Sequence, residues 1–210
     1  DGFVGHMRER VTIPGAGDVA LHPRNVARPA PTGLDRQDCL SEDVAPTPVF
    51  GRGLKAHVTS SCHDEHGMRN LADPEAMHRY VVAPINKILR HRNDIVEVEE
   101  QFLDDAELVL VSYGTVARCG TAALELARDK GLKVGQLRLV TCWPLPDGEI
   151  LRVARAAKRV LVLENNMGQM YPYIRSCIGG ACETSFLGPE RLGQIHDPQA
   201  ILQAIEELLP

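Results

Sequence analysis

The chain has 210 residues, a formal net charge of −5 and 44% hydrophobic residues, a composition that supports a hydrophobic core and excludes disorder along the whole chain. No apolar run approaches the ~18 residues of a membrane span, and the first residues lack the order of a secretory signal, so we expect no membrane partner. Because the charge is negative and no five Lys or Arg residues stand together, nucleic acid is not expected as a partner either.

The first fifty residues hold six of the fourteen prolines and show few periodic runs. This pattern predicts an irregular N-terminal extension or linker. The sequence opens at Asp1 without a methionine, which we interpret as the interior of a longer chain.

The next elements are a short strand candidate, Lys55 to Thr59, and a helix that begins at Asp73-Pro74-Glu75. Asp is a good N-cap, and Pro is well tolerated at the first helical position. The helix is expected to kink at Pro84 and to end near Arg92. Its apolar positions recur at helical spacing, and they are Met77, Tyr80, Val81, Ile85, Ile88 and Leu89.

Beyond this helix, apolar runs of strand length alternate with stretches of helical period. The predicted strands are Glu107 to Tyr113, Val134 to Val140, Val160 to Leu163 and Cys182 to Leu187. Helices are predicted from about Val116 to Gly131, from Asp147, from Met167 to Cys177 and from Asp197-Pro198. The alternation predicts an α/β fold of three layers, in which a mostly parallel sheet of about five strands carries helices on both faces.

The six cysteines are scattered, and no two have the Cys-x-x-Cys spacing of an iron–sulfur or zinc site. Scattered thiols are typical of a reducing compartment, so we expect a cytoplasmic protein. The closest pair is Cys177 and Cys182, for which an inert packed role is favoured over redox chemistry.

Ligands and partners of such sheets gather at the carboxyl ends of the strands. Those ends are predicted at Tyr113-Gly114-Thr115, at Cys142-Trp143-Pro144 and at Asn165-Asn166-Met167-Gly168-Gln169. The last segment has two interpretations. Asn166 and Gly168 form the strand-to-helix turn alone, or the turn also binds a carboxylate, a phosphate or a neighbouring chain.

A second polar cluster is Cys62-His63-Asp64-Glu65-His66-Gly67, preceded by His57. Imidazole and carboxylate groups together suit zinc or iron. However, Gly67 and the lack of apolar periodicity predict a loop, in which adjacent side chains cannot all converge on one ion. A solvated or interface loop is favoured. The alternatives are a loop that reaches a neighbouring active site, and an independent ligand- or metal-binding module using His57, His63 and His66.

Five strings occur in a fixed order along residues 50 to 210. They are His63-Asp64-Glu65-x-Gly67, a Pro-kinked helix, Val111 to Thr115, Thr141 to Pro146, and Glu164 to Gln169. This ordered set resembles the α-subunit of 2-oxoacid:ferredoxin oxidoreductases. The 2-oxoglutarate branch of that family is the best match, through His63-Asp64-Glu65-x-Gly67 and Gly5-His6-Met7-Arg8-Glu9.

The resemblance implies a domain organisation. Residues 1–50 would hold the end of the domain that grips the pyrimidine ring of thiamin diphosphate, followed by the Pro-rich linker. Residues 51–210 would form a transketolase C-terminal-like α/β domain.

The resemblance also implies an activity. The family converts a 2-oxoacid, here most closely 2-oxoglutarate, and coenzyme A to acyl-CoA and carbon dioxide, with electrons passing to ferredoxin. The partners would be a β-subunit and a second α-subunit. This chain alone would bind no cofactor, because thiamin diphosphate with Mg and an iron–sulfur cluster are held mainly through the β-subunit.

This chain would then have a mainly structural and interface-forming role and would be inactive by itself. No catalytic, cofactor-binding or metal-ligating residue is assigned. The residues that would face an interface or an active site are His6, Arg8, His63, Asp64, Glu65, Gly67, Asn165, Asn166, Gly168 and Gln169.

Overall fold

The structure is a computed structural model that describes residues 10, 12–20, 23, 26, 46, 48–54, 61–64 and 67–209. Its described residues fall into two units, one ending at Asp94 and the other beginning at Ile95. The predicted boundary near residue 50 stays a prediction, and the strand candidate Lys55 to Thr59 lies outside the described residues. No helix in the described part of the chain has both the length and the apolar character needed to cross a bilayer.

The first unit contains helix α1, Pro74–Arg90, which starts where the sequence predicts. The Asp73 carboxylate accepts a hydrogen bond of 3.0 Å from the Glu75 backbone N–H, and the helix runs through Pro84. Its buried positions are the small residues Ala76 and Ala83. Four residues of the predicted apolar face are instead exposed, and they are Met77, Val81, Ile85 and Leu89.

A short helix, α2 (Arg92–Ile95), leads into the second unit, an alternation of strands and helices. The strands are β1 (Val98–Gln101), β2 (Leu108–Tyr113), β3 (Val134–Leu139), β4 (Arg159–Leu163) and β5 (Glu183–Leu187). The helices are α3 (Val116–Asp129), α4 (Asp147–Ala156), α5 (Tyr171–Ile178) and α6 (Pro198–Leu208). The sheet order is β1-β3-β2-β4-β5, with β1 antiparallel to β3 and the other pairs parallel.

Successive side chains of each strand point to opposite faces of the sheet, so the sheet has two apolar faces. Each face is covered by a pair of helices. One face packs against α4 and α5 through residues such as Val109, Val111 and Ile174. The other packs against α3 and α6 through residues such as Leu108, Leu110 and Ile201. Each fully buried Leu or Ile stabilises the fold by about 1.5–3 kcal/mol. The predicted three-layer α/β architecture is therefore confirmed.

Two elements differ from the prediction. Strand β1 was not predicted because its sequence is mostly polar. Its glutamates are accommodated by ion pairs, Glu99 with Arg138 and Glu100 with Arg152. Helix α5 begins at Tyr171 rather than Met167, because the intervening residues form a separate turn, described below.

Arg128, in the last turn of α3, ties the amino end of the sheet together. Its Nε donates to the Val134 carbonyl at 2.6 Å, and its Nη2 donates to the Phe102 carbonyl at 2.8 Å. The guanidinium also makes two hydrogen bonds to the Asp105 carboxylate and lies over the Phe102 ring. The planar guanidinium of Arg128 thus joins α3 to the β1–β2 loop and to the start of β3.

We expect Arg128→Lys to lower the free energy of unfolding by about 1–3 kcal/mol, because a Lys ammonium cannot reach all of these acceptors at once. Denaturant unfolding measures the change. The control is Arg159→Lys, which alters a surface ion pair with Glu183 at 3.2 Å and should cost about 0.5 kcal/mol or less. Equal losses in the two variants would contradict the role assigned to Arg128.

Candidate functional site

The parallel strands β2 to β5 end at the same side of the sheet, which we call the carboxyl edge. The three strand ends singled out from the sequence follow β2, β3 and β4 there, beginning at Tyr113, Cys142 and Asn165. The structure therefore brings the predicted turn Asn165–Gln169 together with the loop after β2.

A cleft opens between the loops after β2 and β4. These strands are neighbours, but the chain leaves β2 into α3 on one face of the sheet and leaves β4 into α5 on the other. Such a switch point leaves a crevice in α/β sheets. Here the crevice has a volume of about 300 Å³ and is lined by Tyr113, Gly114, Thr115, Val116, Asn165 and Asn166.

Glu164 follows β4 and precedes the cleft residue Asn165, and it is completely buried. Its Oε1 accepts a hydrogen bond from the Tyr171 backbone N–H at 2.7 Å. Its Oε2 accepts from the Met170 N–H at 3.0 Å and from the Tyr113 hydroxyl at 2.9 Å. The carboxylate thus satisfies N–H groups at the start of α5, where the helix dipole also favours negative charge.

Asn166 fixes the turn in front of Glu164. Its Oδ1 accepts from the backbone N–H groups of Gly168 at 2.8 Å and Gln169 at 2.9 Å. Its Nδ2 donates to the Tyr113 hydroxyl at 2.9 Å, so that hydroxyl links the two side chains. Gly168 has φ +86°, a backbone conformation that favours glycine. The backbone N–H groups of residues 168–171 are all bound by Asn166 or Glu164.

The buried network changes the acidity of its neighbours. Burial, together with the hydrogen bond to Glu164, raises the pKa of Tyr113 to about 12. Burial and the nearby Glu164 charge raise the pKa of the Cys142 thiol. Both groups are therefore held in their neutral forms, which suits a structural role better than a nucleophilic one.

His196, in the loop before α6, contacts the backbone of Glu164. The residue is buried, and its Nε2 lies 2.9 Å from the Glu164 backbone carbonyl oxygen. Because a carbonyl can only accept, Nε2 donates this hydrogen bond. Both the side chain and the backbone of Glu164 are thus tied to other elements.

The described residues of the second predicted cluster, Cys62 to Asp64 and Gly67, belong to the first unit. Asp64 Oδ1 accepts from the Met68 N–H at 3.0 Å, and the Gly67 N–H donates to the Asp64 carbonyl at 3.0 Å. Gly67 is buried and has φ +77°. His63 packs edge-on against Tyr80 with the ring centroids 4.8 Å apart. These groups stabilise the loop itself, as the sequence predicts for Gly67.

The remaining candidates, His6, Arg8 and Glu65, lie outside the described residues, as do His57 and His66 of the metal alternative. Among the residues that the structure describes, no group of three or more His, Cys, Asp or Glu side chains is placed to hold a metal ion.

Sequence reasoning missed the residues at the centre of the carboxyl edge. The sequence identifies Glu164 only as part of a string and Tyr113 only as part of a strand end, and it does not identify His196. One signal was available, since Glu164 is a charged residue directly after the buried strand β4. Its partner Tyr113 is 51 residues away in sequence, a separation that no local pattern reveals.

Comparison with known proteins identifies a family model and several relatives that match this chain. The family model of pyruvate:ferredoxin oxidoreductase core domain II matches residues 106–195. The 2-oxoglutarate synthase subunit KorA of Methanothermobacter thermautotrophicus is 36% identical over 205 residues, which are 98% of this chain and 54% of the relative. KorA of Methanocaldococcus jannaschii is 33% identical over the same shares of the two chains. The chain spans about half the length of these curated relatives.

One solved structure is similar along most of the chain. It is a 2-oxoglutarate:ferredoxin oxidoreductase from Magnetococcus marinus with 2-oxoglutarate, coenzyme A and succinyl-CoA bound. The match has a TM-score of 0.73 and 19% identity, and it covers 94% of this chain and 34% of that chain. At this identity the likeness establishes the fold. The alternative of an independent metal-binding module is not favoured by these relatives.

We expect Glu164→Gln to lower the free energy of unfolding by about 1–3 kcal/mol, because an amide nitrogen would face the donors that the carboxylate now accepts from. Denaturant unfolding at neutral pH measures the loss. The control is Glu183→Gln, an exposed change at the start of β5 that should have little effect. A Glu164→Gln variant as stable as this control would contradict the network.

Tyr113 should make stability depend on pH above 10. Its pKa is raised from 10.0 to about 12 on folding, so its contribution is complete below pH 10 and is lost as the pH rises towards 12. The free energy of unfolding should therefore fall more steeply over this range in the wild type than in Tyr113→Phe. The groups common to both proteins cancel in the difference. If the free energy of unfolding falls equally with pH in the two proteins, folding does not raise the pKa of Tyr113.

Proposed function

Because the chain belongs to the family of 2-oxoacid:ferredoxin oxidoreductase α-subunits, we propose that it is part of an enzyme that oxidatively decarboxylates a 2-oxoacid to an acyl-CoA. The observation that carries the proposal is identity of 36% with a 2-oxoglutarate synthase subunit along 98% of the chain. The 2-oxoacid is proposed to be 2-oxoglutarate. A ketoisovalerate oxidoreductase subunit, VorB, from the same organism as the first relative, matches only 70% of the chain, at 31% identity.

The proposed partners are a β-subunit and a second α-subunit, with ferredoxin and coenzyme A used by the whole enzyme. Thiamin diphosphate with Mg would supply the carbanion chemistry, and an iron–sulfur cluster would carry electrons. We propose that both groups are held mainly by the β-subunit, as the resemblance to the family implies. A cytoplasmic location is proposed, because scattered cysteines without Cys-x-x-Cys spacing are typical of a reducing compartment.

The contribution of this chain is proposed to be structural. The turn Asn165–Gln169, and with it Asn165, Asn166, Gly168 and Gln169, would contact another domain or subunit. Glu164 and Tyr113 hold that turn in one conformation, which lowers the entropy lost on docking. The turn containing His63, Asp64 and Gly67 is proposed as a second contact. His6, Arg8 and Glu65 would belong to the same surfaces.

The isolated chain should show no 2-oxoglutarate-dependent reduction of a viologen dye, whereas a complex purified with a companion β-subunit and the remainder of the α-subunit should reduce the dye in the presence of coenzyme A. Omission of coenzyme A is the control. Turnover by the isolated chain, or an inactive complex that contains all its cofactors, would overturn the proposed function.

Gly168→Ala should weaken assembly of that complex more than it weakens folding. The added Cβ would lie 3.4 Å from the Phe186 ring, at a φ of +86°. The matched control is Gly131→Ala, which has a similar φ of +80° and open space around it at the amino end of the sheet. Co-purification yield and denaturant unfolding separate the two effects. If Gly168→Ala keeps its subunits as well as Gly131→Ala does, the turn is not an interface.

A further inference from the structure

Strand β5 is the last strand of the sheet and pairs with β4 on one side only. Backbone groups of successive strand residues point to opposite sides of the strand. The Leu187 carbonyl accepts from the Glu164 N–H, directly after β4, at 3.3 Å, so Thr184 and Phe186 turn their N–H and C=O groups away from β4. The Thr184 carbonyl accordingly accepts from the Tyr171 hydroxyl at 3.3 Å. In the described part of the chain, no strand pairs with this outer side of β5.

The composition of β5 differs from that of a protected edge strand. Soluble proteins usually block such edges with charged side chains, prolines, bulges or a covering element. The opposite edge strand, β1, follows this rule, because Glu99 and Glu100 are half of its four residues. In β5 only the first residue, Glu183, is charged, and the rest is Thr-Ser-Phe-Leu without a proline. The outer side of β5 is therefore suited to pairing with another strand.

A groove of about 700 Å³ runs beside this open edge, between β5 and α5. The side chains of Thr184 and Phe186 lie on the sheet face that α5 covers, because Val160 and Val162 beside them in β4 belong to that face. A strand added to β5 would continue the same face, so every second side chain would point towards the groove. The residues that line the groove include Tyr171, Arg175 and Ser176 of α5 and Cys182, Glu183 and Thr184 at the start of β5.

The charge of the groove favours an acidic partner. Its charged lining residues are Arg175 and Glu183. The Glu183 carboxylate is already paired with the Arg159 guanidinium at 3.2 Å. Arg175 is exposed in the last turn of α5, and among the described residues its guanidinium has no carboxylate partner. The unpaired charge is therefore positive, and a guanidinium can bind a carboxylate through two parallel hydrogen bonds.

We propose that the outer side of β5 binds an extended acidic segment of another protein. The backbone of that segment would hydrogen-bond to the outward groups of Thr184 and Phe186, and an Asp or Glu side chain would enter the groove beside Arg175. In this mode of recognition the main-chain hydrogen bonds provide affinity, and pockets for alternate side chains provide specificity. The inference goes beyond the proposed function and would stand without it.

Titration of the isotopically labelled 210-residue chain with the capped peptide acetyl-Thr-Val-Glu-Val-Thr-amide, followed by NMR, tests the proposal. The backbone N–H signals of Thr184 and Phe186 should shift more than those of Ser185 and Leu187, because only the former two point towards the added strand. A peptide with Lys in place of Glu should bind at least about tenfold more weakly.

Charge reversal tests the role of Arg175. The Arg175→Glu variant should bind the lysine peptide more tightly than the glutamate peptide. The matched control is Arg155→Glu, at an exposed position in the last turn of α4, and it should keep the wild-type preference. Circular dichroism of both variants checks that the fold is kept.

Four results would overturn the proposal. They are no binding of the glutamate peptide at millimolar concentration, equal binding of the two peptides, an unchanged preference in Arg175→Glu, and equal shifts of all four backbone N–H signals. Succinate serves as a small dianion without a peptide backbone. If succinate alone reproduces the shifts of Thr184 and Phe186, the groove is a site for free anions, and the proposed peptide site is wrong.

Discussion

The structure at the carboxyl edge depends on one buried carboxylate. A carboxylate removed from water is strongly destabilising unless its oxygens find donors, and Glu164 finds three, from two backbone N–H groups and the Tyr113 hydroxyl. Two of those donors belong to the start of α5, which needs an acceptor just as much. The charge and the helix terminus therefore satisfy each other, and neither is stable in this position without the other.

Further hydrogen bonds connect Glu164 and the start of α5 to the turn Asn165–Gln169. The Tyr113 hydroxyl joins Glu164 to Asn166, and Asn166 binds the N–H groups of the turn that carries Met167. The result is a turn whose backbone is held in place by hydrogen bonds to Asn166, which is itself bound by Tyr113. It is a poor arrangement for acid–base chemistry, because the pKa values of Tyr113 and Cys142 keep both groups neutral. It is a good arrangement for presenting a preorganised contact. This arrangement supports the proposed structural role of the domain.

Much of the fold was accessible from the sequence, for physical reasons. The strands β2 and β4 are buried on both faces and so consist of apolar runs, and α1 and α6 begin with Asp-Pro pairs that act as caps in the structure. Strand β1 escaped prediction because its stability comes from pairing with β3 and from ion pairs, not from its own apolar pattern. The turn Asn165–Gln169 was identified, but its dependence on Glu164 and Tyr113 was not, since that contact exists only once β2 and β4 are neighbours.

The central claim is that Glu164 and Asn166 hold the amide groups of the turn and of the first residues of α5. Hydrogen exchange of individual backbone amides tests it directly in the folded chain. The account predicts that the amides of Gly168, Gln169, Met170 and Tyr171 exchange slowly in the wild type, and that those of Met170 and Tyr171 become fast in Glu164→Gln. Rapid exchange of all four amides in the wild type would show that the turn is not held, and would contradict the account.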